Sequence, residues 1–223
     1  MATVVFDLDG TLADTSGDLI AAANACFRDM GAGDMLDVAT DAGTALRGGR
    51  AMLGLGLERL GRADDVAEID RQYPRLLAAY EGAIDTHTRF YPNAMETVEA
   101  LRLDGFKVAI CTNKPEALAR LLMTRLGVLD SFGSLIGADT LPVRKPDPEP
   151  LREAVRRAGG DPAHCVLVGD TVTDRETSRA AGVASILVTF GPGAHAVEAL
   201  APEATIGHFD ELPVVVRRFL RVS

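Results

Sequence analysis

Five short apolar runs, at residues 4–6, 107–111, 134–136, 165–168 and 184–188, constrain this chain more than any other feature. Helical segments at 94–103, 116–126, 149–158 and 174–181 separate the later ones, and a final helix covers about 212–220 after a short apolar piece near Thr205. Strands that alternate with helices cannot pair as hairpins. They imply a parallel sheet covered by helices on both faces, a Rossmann-like α/β architecture. One stretch breaks the alternation. Between the first run and the second, helices are expected at 19–30, 39–46, 51–60 and 64–82, with no convincing strand among them. Ser16-Gly17-Asp18 is placed to cap the first of these, and Gly31 and Gly33 to end it. Pro74 predicts a kink or break in the last. The organisation is therefore an α/β core of residues 1–14 and 87–223, with a small helical domain, 15–86, inserted after the first strand.

Bulk properties exclude several functions. A formal net charge of -9 lacks the basic footprint that nucleic acid or an anionic membrane surface requires. No run approaches the roughly 18 apolar residues of a membrane span, and Met1-Ala2-Thr3 leads directly into strand-like sequence without a signal peptide. Cys26, Cys111 and Cys165 lack CxxC spacing and fit buried, reduced thiols in a cytoplasmic protein. The partner expected is a small metabolite, for a monomer or homodimer.

In open parallel sheets the functional crevice lies beyond the carboxyl ends of the strands. Asp7 and Asp9 follow the first run there, Thr112-Asn113-Lys114 the second, and Gly169-Asp170 the fourth, with Asp174 four residues later. Alternation along a strand sends Asp7 and Asp9 the same way. Four acids at one edge need a cation. With oxygen ligands only, and no His or Cys beside them, Mg²⁺ is the natural occupant. Lys145, in a loop stiffened by Pro146 and Pro148, brings a positive charge. Acids holding Mg²⁺ beside a hydroxyl and an ammonium describe a site for a phosphoryl group. Asp174 also stands where a helix N-cap would.

These motifs, in this order, resemble those of the haloacid dehalogenase-like hydrolase superfamily over nearly the whole chain. Asp7-Leu8-Asp9-Gly10-Thr11-Leu12 is similar to its first motif, Thr112 to its second, Lys145 to its third, and Gly169-Asp170-Thr171-Val172-Thr173-Asp174 to its fourth. The resemblance implies roles by position. Asp7 is then the nucleophile that forms an aspartyl-phosphate, and Asp9 the general acid and base. Thr112, Asn113 and Lys145 hold the phosphoryl group. Asp7, Asp9 (through its backbone carbonyl) and Asp170 bind Mg²⁺, and Asp174 supports the metal's shell. The helical insertion is the cap that selects the substrate.

Residues also weigh the subfamilies. Dehalogenases of this type lack the second acid, so Asp9 argues against them. Phosphonate hydrolases use a cap lysine, and the chain has only Lys107, Lys114 and Lys145, none in the insertion. Sugar-phosphate mutases rely on a cap His and Lys, whereas His87 stands only at the hinge. What remains is a small-molecule phosphatase. Thr112-Asn113-Lys114-Pro115, Lys145-Pro146-Asp147-Pro148 and Ala180-Ala181-Gly182 look most like phosphoglycolate phosphatases. Arg47 and Arg50, flanking two glycines in an expected loop, are then candidates for a substrate carboxylate, as is Lys114 for a substrate or supporting contact. Phosphatases for pyrophosphate, nucleotides or sugar phosphates share the catalytic set, and a phospho-accepting signalling domain is a further alternative. Two positions depart from the family pattern: Thr171 stands where Ser is common, and Arg175 where an apolar residue is usual.

Overall fold

The computed structural model describes residues 1–192 and 197–221, which form two compact units. The first comprises Met1–Ala13 and Phe90–Ser223, the second Asp14–Arg89. Very short strands, β2 (Ala13–Asp14) and β3 (Arg89–Phe90), mark the two places where the chain passes from one to the other.

The first unit is built on a six-stranded parallel sheet. Its strands are β1 (Thr3–Phe6), β4 (Lys107–Cys111), β5 (Ser134–Ile136), β6 (Cys165–Gly169), β7 (Ala184–Val188) and β8 (Ala204–Ile206), in the spatial order β5-β4-β1-β6-β7-β8. The apolar piece near Thr205 is thus a sixth strand, paired in parallel with β7. From β1 the chain builds outward to β4 and β5, then returns to β6 on the other side. The order reverses around β1, so the crevice of such a fold opens at its carboxyl end. Every residue of β1 and β6 is buried, as expected of strands covered on both faces.

Helix α7 (Glu149–Arg157) shows how the cover is made. Leu151, Ala154, Val155 and Ala158 follow helical spacing and pack onto Val5, Ala109, Cys111, Ile136 and Leu167, which share one sheet face. Its other face carries ion pairs between Arg156 or Arg157 and Glu149 or Glu153. The remaining helices of this unit are α5 (Ala94–Leu103), α6 (Glu116–Arg125), α8 (Val172–Ala181) and α9 (Leu212–Phe219). Arg175 of α8 turns inward. It is buried, donates to the carbonyls of Leu200 and Ala201 and to Ser185 Oγ, and pairs with Glu203 at 2.8 Å. Where an apolar side chain would only pack, this guanidinium ties α8 to β7 and to the segment leading into β8.

The second unit is helical: α1 (Ser16–Asp29), α2 (Val38–Ala45), α3 (Gly49–Arg59) and α4 (Val66–Gly82). Its core gathers Ile20, Phe27, Met52, Leu53, Leu57, Leu76, Tyr80 and Ile84. Gly56 lies so close to the Phe27 ring that a Cβ there would overlap it. Four expectations change. Helix α1 begins earlier, at Ser16, whose N–H and hydroxyl both donate to Asp14. Asp18 caps nothing; its buried carboxylate accepts from the backbone of His87 and Thr88 and from the Thr88 hydroxyl, holding the returning chain. Helix α4 runs unbroken through Pro74, because burial of Leu76 and Tyr80 beyond it outweighs one missing backbone bond. The expected loop at 47–50 is also shorter, since Gly48 turns with φ +94 and Gly49 and Arg50 already belong to α3. Among the described residues no helix is long and apolar enough to cross a membrane.

Candidate active site

The carboxyl edge of β1 is built by a tight turn. Asp7 N–H donates to the Val168 carbonyl at 2.9 Å, extending the ladder by one residue. The chain then folds back, with the N–H groups of Leu12 and Ala13 donating to the Leu8 carbonyl and Gly10 adopting φ +82. Thr11 thereby comes to donate from its hydroxyl to Asp170 Oδ1 at 2.7 Å. This buried contact spans two motifs and orients Asp170. Nothing in the residue pattern alone announced it beyond the position of Thr11 in the turn.

Beyond β6, Gly169 allows the chain to double back. A Cβ there would sit 2.5 Å from Cβ and Cγ of Asp174, so only glycine lets that side chain fold against the strand end. Asp174 is not the cap of α8. Thr171 is, and Asp174 is its capping-box partner at the third helical position. Its carboxylate is fully engaged: Oδ2 accepts from the N–H groups of Asp170 and Thr171 and from the Thr171 hydroxyl at 2.6 Å, while Oδ1 accepts from Lys145 at 2.6 Å. The substitution of Thr for the common Ser at 171 leaves the capping bond intact.

Lys145 is buried between two acids, with Nζ 2.6 Å from Asp174 and 3.0 Å from Asp7. The Asn113 side chain donates to the Lys145 carbonyl at 3.0 Å and so holds the loop that carries the ammonium. Thr112 is buried, its hydroxyl accepting from the Lys114 N–H. Lys114 sends its own Nζ to Asp9 Oδ1 at 2.8 Å.

Asp7, Asp170 and Asp174 each bring a carboxylate oxygen within 4.8 Å of the others. The Asp9 side chain is not in that cluster; it belongs to Lys114. Burial pushes Asp7 up to about 6, with Asp174 and Asp9 adding to the rise and Lys145 opposing it. Burial, Asp174 and Asp7 likewise raise Asp170 well above the usual carboxylate range. Burial alone would lower Lys145, but Asp174 and Asp7 outweigh it and hold the ammonium charged. With all three ionised, the one ammonium would leave two negative charges unmatched, a repulsion that adds to the rise at Asp7 and Asp170. Asp170 Oδ2 is buried without a hydrogen-bond partner among the described residues, and Asp7 Oδ1 has only its ion pair to Lys145. An all-oxygen donor set with that charge deficit fits a hard divalent cation.

The model of the haloacid dehalogenase-like hydrolases matches residues 1–182. The chain belongs to that family. A protein of Mesorhizobium japonicum named phosphoglycolate phosphatase is 38% identical over 224 residues, covering 99% of this chain and 97% of its own. One of Cereibacter sphaeroides with the same name is 36% identical, covering 99% and 100%. Among solved structures, a predicted phosphoglycolate phosphatase from Haemophilus somnus 129pt shares the fold with a TM-score of 0.81 at 23% identity, covering 96% of this chain and 97% of that one. A haloacid dehalogenase-like family protein from Streptococcus pneumoniae does so at 0.77 and 21%, covering 96% and 98%. This hydrolase is thus similar along its whole length to proteins named phosphoglycolate phosphatase.

The two arginine candidates lie in the helical unit. Arg47 is exposed after α2. Arg50 is exposed in the first turn of α3, paired to Asp70 at 2.7 Å and stacked over Tyr73 at 5.0 Å.

Proposed function

We propose that this hydrolase is a Mg²⁺-dependent phosphatase acting on a small phosphate monoester, 2-phosphoglycolate, through an aspartyl-phosphate on Asp7. The observation that carries the proposal is the buried group of Asp7, Asp170, Asp174 and Lys145, with two negative charges unmatched when its acids are ionised, at the edge where the sheet order reverses. The substrate comes from the relatives at 36–38% identity, whose names carry it.

In this mechanism Asp7 attacks phosphorus and Asp9 protonates the departing alkoxide. The same Asp9 then takes a proton from the water that attacks the aspartyl-phosphate, so one group serves as acid and then as base. Lys145, Thr112 and the Asn113-anchored loop hold the phosphoryl oxygens, and the ammonium offsets the repulsion between carboxylate and phosphate. Mg²⁺ would be held by Asp7, Asp170 and the Asp9 carbonyl, where it supplies charge neutralisation for nucleophile and phosphate. Asp174, with both oxygens already engaged by protein donors, orients Lys145 and the Asp170 backbone rather than offering a free ligand. The helical unit would act as the cap, with Arg47 the better candidate for the substrate carboxylate because Arg50 already serves Asp70. Three free, buried thiols suit a cytoplasmic enzyme.

A panel of phosphate monoesters with Mg²⁺, including nucleotides, sugar phosphates and pyrophosphate, tests the reading. Preference for 2-phosphoglycolate is expected, and indifference to it sinks the substrate. Retained Mg²⁺-dependent turnover in Asp7→Asn sinks the nucleophile.

A further inference from the structure

We propose that Lys114 is a positioning residue for the acid–base step, holding the Asp9 carboxyl in the pose from which it protonates the leaving oxygen. This rests on the reading of Asp9 given above and goes beyond it, because the sequence offered Lys114 for a substrate or supporting contact and the geometry names the group it supports. Its side chain is only 3% exposed, and Nζ lies 2.8 Å from Asp9 Oδ1. A buried ammonium must be paired, and the carboxylate it meets belongs to the residue on which leaving-group departure depends.

The backbone around Lys114 is held on several sides, which is what a positioning role requires. Its N–H donates to Thr112 Oγ1 at 3.1 Å, and its carbonyl accepts from Ala138 N–H at 2.9 Å. Asn113 is tied to the Lys145 loop, and Pro115 opens helix α6 directly afterwards. The ammonium is therefore delivered from a fixed point. Asp9, by contrast, follows β1 in a turn, its side chain is 18% exposed, and a short carboxylate there has rotamers to choose from. Ion pairing at Oδ1 selects one of them. The two buried lysines thus divide the acids: Lys145 serves Asp7 and Asp174, and Lys114 serves Asp9.

Leaving-group dependence separates this role from a structural one. A phosphate ester of a simple alcohol cannot depart without a proton, whereas p-nitrophenolate can. The value of kcat/KM reports steps up to departure and so excludes the later hydrolysis of the aspartyl-phosphate. The experiment compares wild type, Lys114→Met and Asp9→Asn, each with Mg²⁺, on an alkyl phosphate and on p-nitrophenyl phosphate. For Lys114→Met the alkyl-to-nitrophenyl ratio of kcat/KM should fall by about 30-fold, less than the 10²–10⁴ that a positioned acid supplies because the acid itself is still present. Asp9→Asn should shift the ratio the same way, and further. If Asp9→Asn shifts the ratio and Lys114→Met does not, whether by leaving both substrates unaffected or depressing both equally, the role of Lys114 is overturned while the acid assignment stands. If Asp9→Asn itself leaves the ratio unchanged, the acid reading has failed and this inference falls with it.

Discussion

Replacing Asp7 by Asn should remove activity and, in the absence of metal, make the protein more stable at neutral pH. The second half follows from the position of the carboxyl among buried acids. Its pKa stands at about 6 against an ordinary 3.8, with burial the first cause. Below pH 3.8 both the folded and the unfolded chain carry the proton. Between 3.8 and about 6 only the folded chain keeps it, so stability falls as pH rises through that window. Above about 6 the folded chain holds an anion that its surroundings disfavour. Two pKa units correspond to about 3 kcal/mol. For a chain of this size that is about 6–12 °C in melting temperature, an upper bound because the buried amide has its own cost. Calorimetry with EDTA at pH 4 and pH 7.5 provides the assay. Asp7→Asn should melt well above wild type at pH 7.5, and the gap should close at pH 4 and narrow when Mg²⁺ is added. A variant melting at or below wild type at pH 7.5 in EDTA would refute the argument that burial and neighbouring acids dominate this site.

Asp170→Asn keeps the shape and the Thr11 contact but removes a charge, and should weaken Mg²⁺ by about 100-fold or more, seen as loss of the Mg²⁺-induced rise in melting temperature. Lys145→Met leaves buried Asp7 and Asp174 facing each other, and should cost about 3–5 kcal/mol in urea unfolding with EDTA. Gly56→Ala drives a methyl into the Phe27 ring, and should cost about 1–3 kcal/mol while leaving the chemistry of the α/β unit unchanged on p-nitrophenyl phosphate.

Much of the site can be read from the chain because its residues follow strand ends. Asp7, Thr112 and Asp170 stand directly after continuous apolar runs, and parallel pairing brings such positions to one edge. Helix ends in the second unit were less legible. At residues 47–50 two glycines read as a loop, yet packing of Gly49 against Tyr73 and Leu76 lets α3 begin there. Pro74 read as a breaker, and burial on both sides of it overrode the local preference.

The order of apolar runs and polar tips by itself determined the parallel sheet, the helical insertion and the identity of the acids and lysines at the edge, because those follow from local periodicity and strand polarity. Which lysine serves which acid was decided only in three dimensions. Lys114 and Asp9 are 105 residues apart, Lys145 and Asp174 29, and Thr11 and Asp170 159. No local pattern encodes a pairing across such separations; it arises when the β1, β4 and β6 ends are laid side by side and each buried charge must find a partner.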